Sequence, residues 1–392
     1  MFLVITIVFW LSAVLIVHTY VFFPTLLKWL SRNKLNNKNC FGQNDNNLPT
    51  ISILLAVYNE ESVIEEKIVS TFDTDYPLHK IQFLIGSDWS TDNTEKIIRN
   101  YQEKFPQIEL VVFEGRKGKS EIINELSDLA RGEILLLTDA NVFFDEHTIF
   151  QLVKHYKNEK IGQVGGNILN VLHKKEGISY QEKSYLQREN LMKYQEGIIW
   201  GSMIGAFGGC YSIRKKLFVK VPPTFLMDDF FISMNVLSNK FFAINELEAK
   251  CFEDVSNKIT EEFRRKVRIS AGNFQNLTYY KHLLWPPFSG VAFSFLSHKV
   301  IRWYTPFLII ILIFSNLILI GYSNFYLLSM FLILLSITVP LMDYALKYFH
   351  IHLKLFRFIT HFYLMNLALL KGFIQYQKGV NTNVWKPTQR NQ

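Results

Sequence analysis

The chain is poor in cysteine, poor in charge, and has no basic start. Its three cysteines, Cys40, Cys210 and Cys251, lie far apart and form no CxxC pair. That spacing excludes a cysteine zinc site and a disulfide-stapled scaffold, and it fits reduced thiols in a cytosolic compartment. Asp, Glu, Lys and Arg make up only 19% of the residues. The apolar N-terminal run lacks the basic leader and short core of a signal peptide. A phosphate-binding P-loop is missing too. Gly118, Lys119 and Ser120 end like one, but the glycine needed five positions earlier is Phe113. An ATPase of that type is excluded.

What is present points to a membrane. The 392 residues are 49% hydrophobic and 15% aromatic, high for a soluble protein. The net charge of +8 lies largely beside apolar runs. Basic loops of a membrane enzyme explain this better than nucleic-acid binding, so no nucleic acid is expected. Residues 2–27 are nearly all apolar and long enough to span a bilayer. Lys28, Arg32, Lys34 and Lys38 follow, so the next domain is expected in the cytoplasm of a multi-pass cell-membrane protein. Within this first span, His18 reads as a packed or interfacial side chain.

The expected organisation is a transmembrane helix at 1–28 and a polar linker at 29–49. A cytoplasmic domain over 50–284 and an interfacial helix over 285–303 follow. A transmembrane region at 304–378 and a tail at 379–392 complete the chain. The asparagine-rich 33–47 stretch looks too poor in apolar residues to pack. Residues 305–322 and 325–346 read as two spans. Residues 358–370 are apolar but short; they either cross with a tilt or lie in the interface.

Between the membrane segments, strands are expected at 51–57, 81–85, 108–113 and 133–138, with helices between them. Strands alternating with helices make βαβ units and a parallel sheet. Right-handed crossovers put the strand ends on one edge, where ligands bind in open α/β sheets. Tyr58, Asn59, Glu60 and Glu61 follow the first strand, Asp88 to Asp92 the second, and Asp139 with Asn141 the fourth. Lys119, just before a helix, can meet a phosphate. Asp228 and Asp229 open a later helix, and a basic helix carries Arg264, Arg265, Lys266 and Arg268.

These motifs, in this order and flanked by spans, resemble the membrane-embedded inverting family 2 glycosyltransferases. That group includes cellulose, chitin, hyaluronan and poly-N-acetylglucosamine synthases. The resemblance implies a GT-A type, Rossmann-like α/β domain with a mostly parallel sheet. It places a nucleotide-sugar donor, expected to be a UDP-sugar, on Tyr58, Asn59, Glu60, Asp88, Lys119 and Asp139. Mg2+ or Mn2+ would sit on Asp139 and Asn141, where the family has two aspartates. Asp229 would act as base, supported by Asp228. Trp89 replaces the family's glycine in the loop after the second strand. Arg265 and Arg268 stand where relatives have a Gln-x-x-Arg-Trp motif, with Ile269 in place of the acceptor-stacking tryptophan. Trp385 and Arg390 resemble a tail that closes over the donor.

The function implied is extension of an envelope or extracellular polysaccharide, with export through the membrane helices or with accessory subunits. Single transfer to a lipid acceptor and a non-catalytic scaffold are the alternatives. A transporter is disfavoured, since the spans carry no paired charges.

Overall fold

A computed structural model of the chain describes residues 2–171, 179–254, 259–349, 351 and 353–380. Trp385 and Arg390 fall outside the described residues. The central feature is an eight-stranded sheet. Its strands are β1 (Ile51–Val57), β2 (Ile81–Ser87), β3 (Ile108–Val112), β4 (Ile134–Thr138), β5 (Val142–Phe144), β6 (Ile161–Val171), β7 (Cys210–Arg214) and β8 (Phe242–Asp254). Their order across the sheet is β3-β2-β1-β4-β7-β6-β8-β5.

The first four strands are parallel, with β1 between β2 and β4. Every residue of β1, β2 and β4 is buried. That is why they read as continuous apolar runs rather than alternating ones: both faces are covered. Beyond β4 the sheet mixes directions. β7 is antiparallel to β4 and β6, β6 runs parallel to β8, and β5 is antiparallel to β8. One side of the sheet packs Ile53, Leu55, Ile64 and Ile68; the other packs Leu54, Leu84, Ile122 and Phe231. The expected α/β architecture with a mostly parallel sheet is therefore present.

Among the described residues, three helical runs are long and apolar enough to cross a membrane: Phe2–Leu30, Gly290–Leu319 and Asn324–Tyr348. The chain reads as a membrane protein on that ground. Phe9 of the first run packs with Leu319 and Tyr326, and Trp10 stacks on Phe325 at 5.4 Å. His18 Nε2 lies 2.9 Å from Ser297 Oγ, a packed polar contact as its position in the sequence suggests. Residues 290–319 form a single helical run, so the boundary placed at 303/304 falls within a helix.

The 358–370 stretch belongs to a longer helix, Lys354–Gln377. This helix lies along Ile259–Tyr280, which follows β8. Ser270 Oγ donates to Leu369 O at 2.9 Å, and a Cβ on Gly372 would come within 2.3 Å of Ser270 Cβ. Only glycine permits so close an approach.

The asparagine-rich 33–47 stretch departs from expectation. It has no regular element, yet it lies against the domain: Phe41 N donates to Lys154 O at 2.8 Å, and Asn37 Nδ2 to His155 O at 3.3 Å. Side-chain amides supply the hydrogen bonds that a strand or helix would otherwise make.

Candidate active site

The carboxyl ends of β1, β2 and β4 meet helix starts at one edge of the sheet, and a cavity of about 660 Å³ opens there. Asp139 follows β4. Lys119 opens the helix Lys119–Leu129, entered through Gly118 at φ +90, a left-handed position that suits glycine. Lys119 Nζ donates to Asp139 Oδ1 at 2.6 Å and lies 3.9 Å from Asp228 Oδ2. Burial presses the lysine pKa downward, but Asp139 and Asp228 outweigh it and hold the ammonium well above the usual range. A fixed cation therefore stands between two carboxylates.

Asp228 and Asp229 occupy the first turn of the helix Asp228–Ser238. Helix N-termini favour negative charge, which explains two adjacent acids there. Asp229 Oδ1 accepts from Phe230 N at 2.7 Å, while Gly208 packs so tightly that a Cβ would sit 2.9 Å from Asp229 Oδ2. Burial, with Asp228 adding repulsion, pushes the Asp229 carboxyl up to about 6. A buried carboxylate with a pKa near neutrality, facing a cavity, has the properties of a general base.

Asp88 is fully buried and both of its oxygens are taken. Arg116 Nε donates to Oδ2 at 3.0 Å, Lys117 N to Oδ1 at 2.6 Å and Gly118 N to Oδ2 at 3.1 Å. The Arg116 guanidinium in turn lies 3.3 Å over the Tyr58 ring. Asp88 thus shapes the loop that delivers Lys119. Asn59 caps the neighbouring loop, its Oδ1 accepting from Thr91 N at 2.8 Å. Trp89 sits at φ +60, so it adopts the left-handed backbone a glycine would take there, and its side chain is 57% exposed. The loop shape survives the loss of glycine and gains an accessible aromatic face. Glu60 lines the cavity.

Of the remaining expected residues, Asn141, Arg265, Arg268 and Ile269 line the same cavity. Arg265 is engaged with Glu262 through two contacts at 2.9 and 3.1 Å. Burial lowers the pKa of Arg268, which Asp228 pulls back up. The structure thus brings together Glu60, Lys119, Asp139, Asn141, Asp228, Asp229, Arg265 and Arg268. Tyr58, Asn59 and Asp88 stand behind them in the supporting loops.

Three residues missed in the sequence matter here. Lys67, fully buried on the helix Ile64–Phe72, donates to Thr138 Oγ1 at 2.8 Å and to Val142 O at 2.6 Å, bracketing Asp139 and Asn141. Burial brings its pKa down to about 7. Glu253 on β8 accepts from Asn141 Nδ2 at 3.3 Å. Lys193 lies on the helix Ser179–Trp200 and lines the cavity. No local pattern marks any of the three: each is brought in by a packing partner far along the chain.

Asp139 offers carboxylate oxygens and Asn141 an amide oxygen, the ligand type a hard divalent ion such as Mg2+ or Mn2+ prefers, although one Asp139 oxygen already accepts from Lys119 Nζ. Among the described residues, no group of three or more His, Cys, Asp or Glu side chains is placed to hold a metal. The donor set fits an ion carried partly by Asp139 and Asn141 and partly by a bound diphosphate.

Residues 52–221 match the family model "Glycosyl transferase family 2". Curated relatives include the poly-beta-1,6-N-acetyl-D-glucosamine synthase of Staphylococcus epidermidis, 33% identical over 118 residues, 30% of this chain and 28% of that protein. The beta-monoglucosyldiacylglycerol synthase of Nostoc sp. is 29% identical over 119 residues, 30% of this chain and 25% of that one. The chain thus matches less than a third of the length of these relatives. Among solved structures, the mannosyltransferase PcManGT from Pyrobaculum calidifontis, in complex with GDP-Man and Mn2+, is similar with a TM-score of 0.69. It is 17% identical, over 94% of this chain and 99% of that one, a likeness of fold. Residues 52–221 thus carry a domain that matches the family 2 glycosyl transferases.

Proposed function

We propose that the chain is a membrane-anchored glycosyltransferase that uses a nucleotide-diphospho-sugar, a UDP-sugar, and inverts the anomeric carbon. One observation carries this reading: Lys119 and Asp139 face Asp228 and Asp229 across a single cavity, a cation and an anchor beside a base. Trp89, exposed on the neighbouring loop, offers a face for the base. Lys119 and Arg268 neutralise the diphosphate, Arg268 as a planar donor fork. Mg2+ or Mn2+ on Asp139 and Asn141 would add Lewis-acid stabilisation of the leaving group. Asp229 takes the proton of an acceptor hydroxyl as its oxygen bonds to the anomeric carbon. The bond from that carbon to the diphosphate breaks, and its electron pair leaves with the nucleotide.

The polymer named for one relative supports extension of an envelope saccharide, and the glycolipid named for another supports transfer to a lipid. A second reading, transfer to a membrane lipid, is supported by the reach of the cavity. It continues from Asp139 to Tyr20 and Pro24 of the first membrane helix and to Phe362 of the Lys354–Gln377 helix. In both readings the domain faces the cytoplasm at the cell membrane. The test is purified protein with labelled sugar nucleotides and membrane extract, the product sized and extracted. A UDP-sugar-dependent polymer or glycolipid is the expected result. No transfer from any nucleotide sugar, with Asp229→Asn indistinguishable from wild type, would favour a scaffold instead.

A further inference from the structure

The reaction above uses the strand-end half of the cavity and leaves the other half unexplained. That half is walled by Ser179–Trp200, the first membrane helix and the residues after Ser297. Its charges are heavily worked. Glu189 accepts from Lys299 Nζ at 2.8 Å, from His298 Nε2 at 3.2 Å, and from Arg302. Glu196 accepts from His298 Nδ1 at 2.8 Å and from Ile204 N at 3.2 Å. Both carboxylates are thus consumed.

Lys193, one turn after Glu189, is the charge left over. It is 3% exposed and lines the cavity. Its ammonium lies 3.5 Å over the Phe207 ring, with no carboxylate within 4 Å among the described residues. Its neighbour Met192 packs with Phe23 and Leu27, which fixes this turn of helix against the first membrane run. Two further polar atoms here are buried without a hydrogen-bond partner: Arg302 Nε, a donor, and Asn366 Oδ1, an acceptor. Both side chains line the cavity. Buried polar groups are nearly always satisfied, so a cluster of unsatisfied ones around a cavity marks a place for a ligand. An ammonium and a guanidinium N–H call for an anion, and the amide oxygen for a hydroxyl. Phe358, Phe362 and Met365 extend the wall with apolar surface.

We propose that Lys193, Arg302 and Asn366 form a headgroup site for an amphiphilic acceptor, a membrane lipid that carries a phosphate beside free hydroxyls. The site rests on the glycosyltransferase reading, for it is the cavity shared with Asp229 that makes its occupant an acceptor. The lipid hydroxyl loses its proton to Asp229 as it bonds to the sugar, and the nucleoside diphosphate departs as before. Burial, and behind it Lys299, hold the Lys193 pKa down at about 7 against the opposing pull of Glu189, Asp229 and Glu196. An anion alongside pulls it back up. Binding above pH 7 then takes a proton from the buffer.

The test uses full-length protein in neutral detergent and three probes: short-chain phosphatidylglycerol, short-chain diacylglycerol and inorganic phosphate. Calorimetry in two buffers of different ionisation enthalpy reads affinity and proton uptake. Phosphatidylglycerol is expected to bind most tightly and to take up a proton at pH 8. Lys193→Met should weaken it at least tenfold and abolish the uptake, and Lys193→Arg should restore most of the affinity. The unfolding midpoint of each variant checks the fold. Equal binding of diacylglycerol overturns the anionic site, and inorganic phosphate binding as tightly as the lipid overturns the amphiphile. Unchanged phosphatidylglycerol affinity in Lys193→Met overturns the role of this lysine. UDP affinity on the same samples separates the two claims. Lipid binding without UDP binding removes the donor reading and keeps the site, whereas UDP binding without lipid binding removes the site.

Discussion

The two ends of the cavity are both crowded with charge but neutralise it by different means. At the strand ends, loops do the work: Asp88 is held by two backbone N–H groups and one arginine, and Lys119 reaches Asp139 from the next helix start. At the membrane end there are no such loops. One carboxylate, Glu189, accepts from three basic side chains on the helix that begins at Gly290. A sheet edge offers many free N–H groups for anions; a helix wall has spent its own and must import side chains. The first kind of site tolerates loss of a single partner, whereas the second leaves several buried cations stranded.

Variants at the two ends should separate this contrast. The largest effect is expected at the base. Asp229→Asn should lower turnover by about 10² to 10⁴-fold, the usual contribution of general-base catalysis, with UDP affinity little changed. Steady-state rates beside nucleotide titration check this, and a mutant that retains wild-type turnover removes Asp229 from the chemistry. Next comes Glu189→Gln, which strands Lys299 and Arg302. Breaking a buried ion pair costs on the order of 3–5 kcal/mol, read as a lower unfolding midpoint. A variant as stable as wild type would mean the membrane-end charges are hydrated.

Asp139→Ala should remove most metal-dependent nucleotide binding, while Asn141→Asp should preserve it or tighten it. Isothermal titration of UDP with and without Mn2+ distinguishes them, and equal binding by Asp139→Ala and wild type contradicts the anchor. The smallest effect is a shift in pH profile. The Asp229 carboxyl is held up at about 6, so the base form is lost as pH falls through that value. kcat/KM should therefore drop on the acid side near pH 6. Asp228→Asn removes a repelling charge and should move that limb to lower pH; a limb that stays fixed or moves up contradicts the coupling.

The contrast also explains what could be read in the sequence. β1, β2 and β4 were legible because strands buried on both faces are unbroken apolar runs, and the polar residues after them must lie at the strand ends. Asp88 and Asp139 stand out that way, while Asp228 and Asp229 stand out as paired acids at a helix start. Glu253 does not, because β8 carries four acids and a lysine and reads as a solvated segment. Its pairing with β6 contains a register shift, which no local pattern predicts. Lys193 and Glu189 look like ordinary polar positions of a helix. Their meaning comes from His298, Lys299 and Arg302, more than a hundred residues away, and only the packing joins them. Lys67 was hidden for the same reason: its acceptors, Thr138 and Val142, belong to strands that follow much later.

The close seat of Gly372 against Ser270 has a consequence for how the protein is made. Phe358, Phe362 and Asn366, on the same helix as Gly372, help wall the cavity, and that helix comes after the sheet in the chain and follows Asp228–Asp229 by more than a hundred residues. Sheet, strand-end loops and Asp228–Asp229 can all be in place before it is synthesised. A nascent or truncated chain ending before Lys354 would thus own the chemical groups but lack one wall of their chamber. The Lys354–Gln377 helix seals the compartment, so maturation of the site waits until this helix has been made and seated.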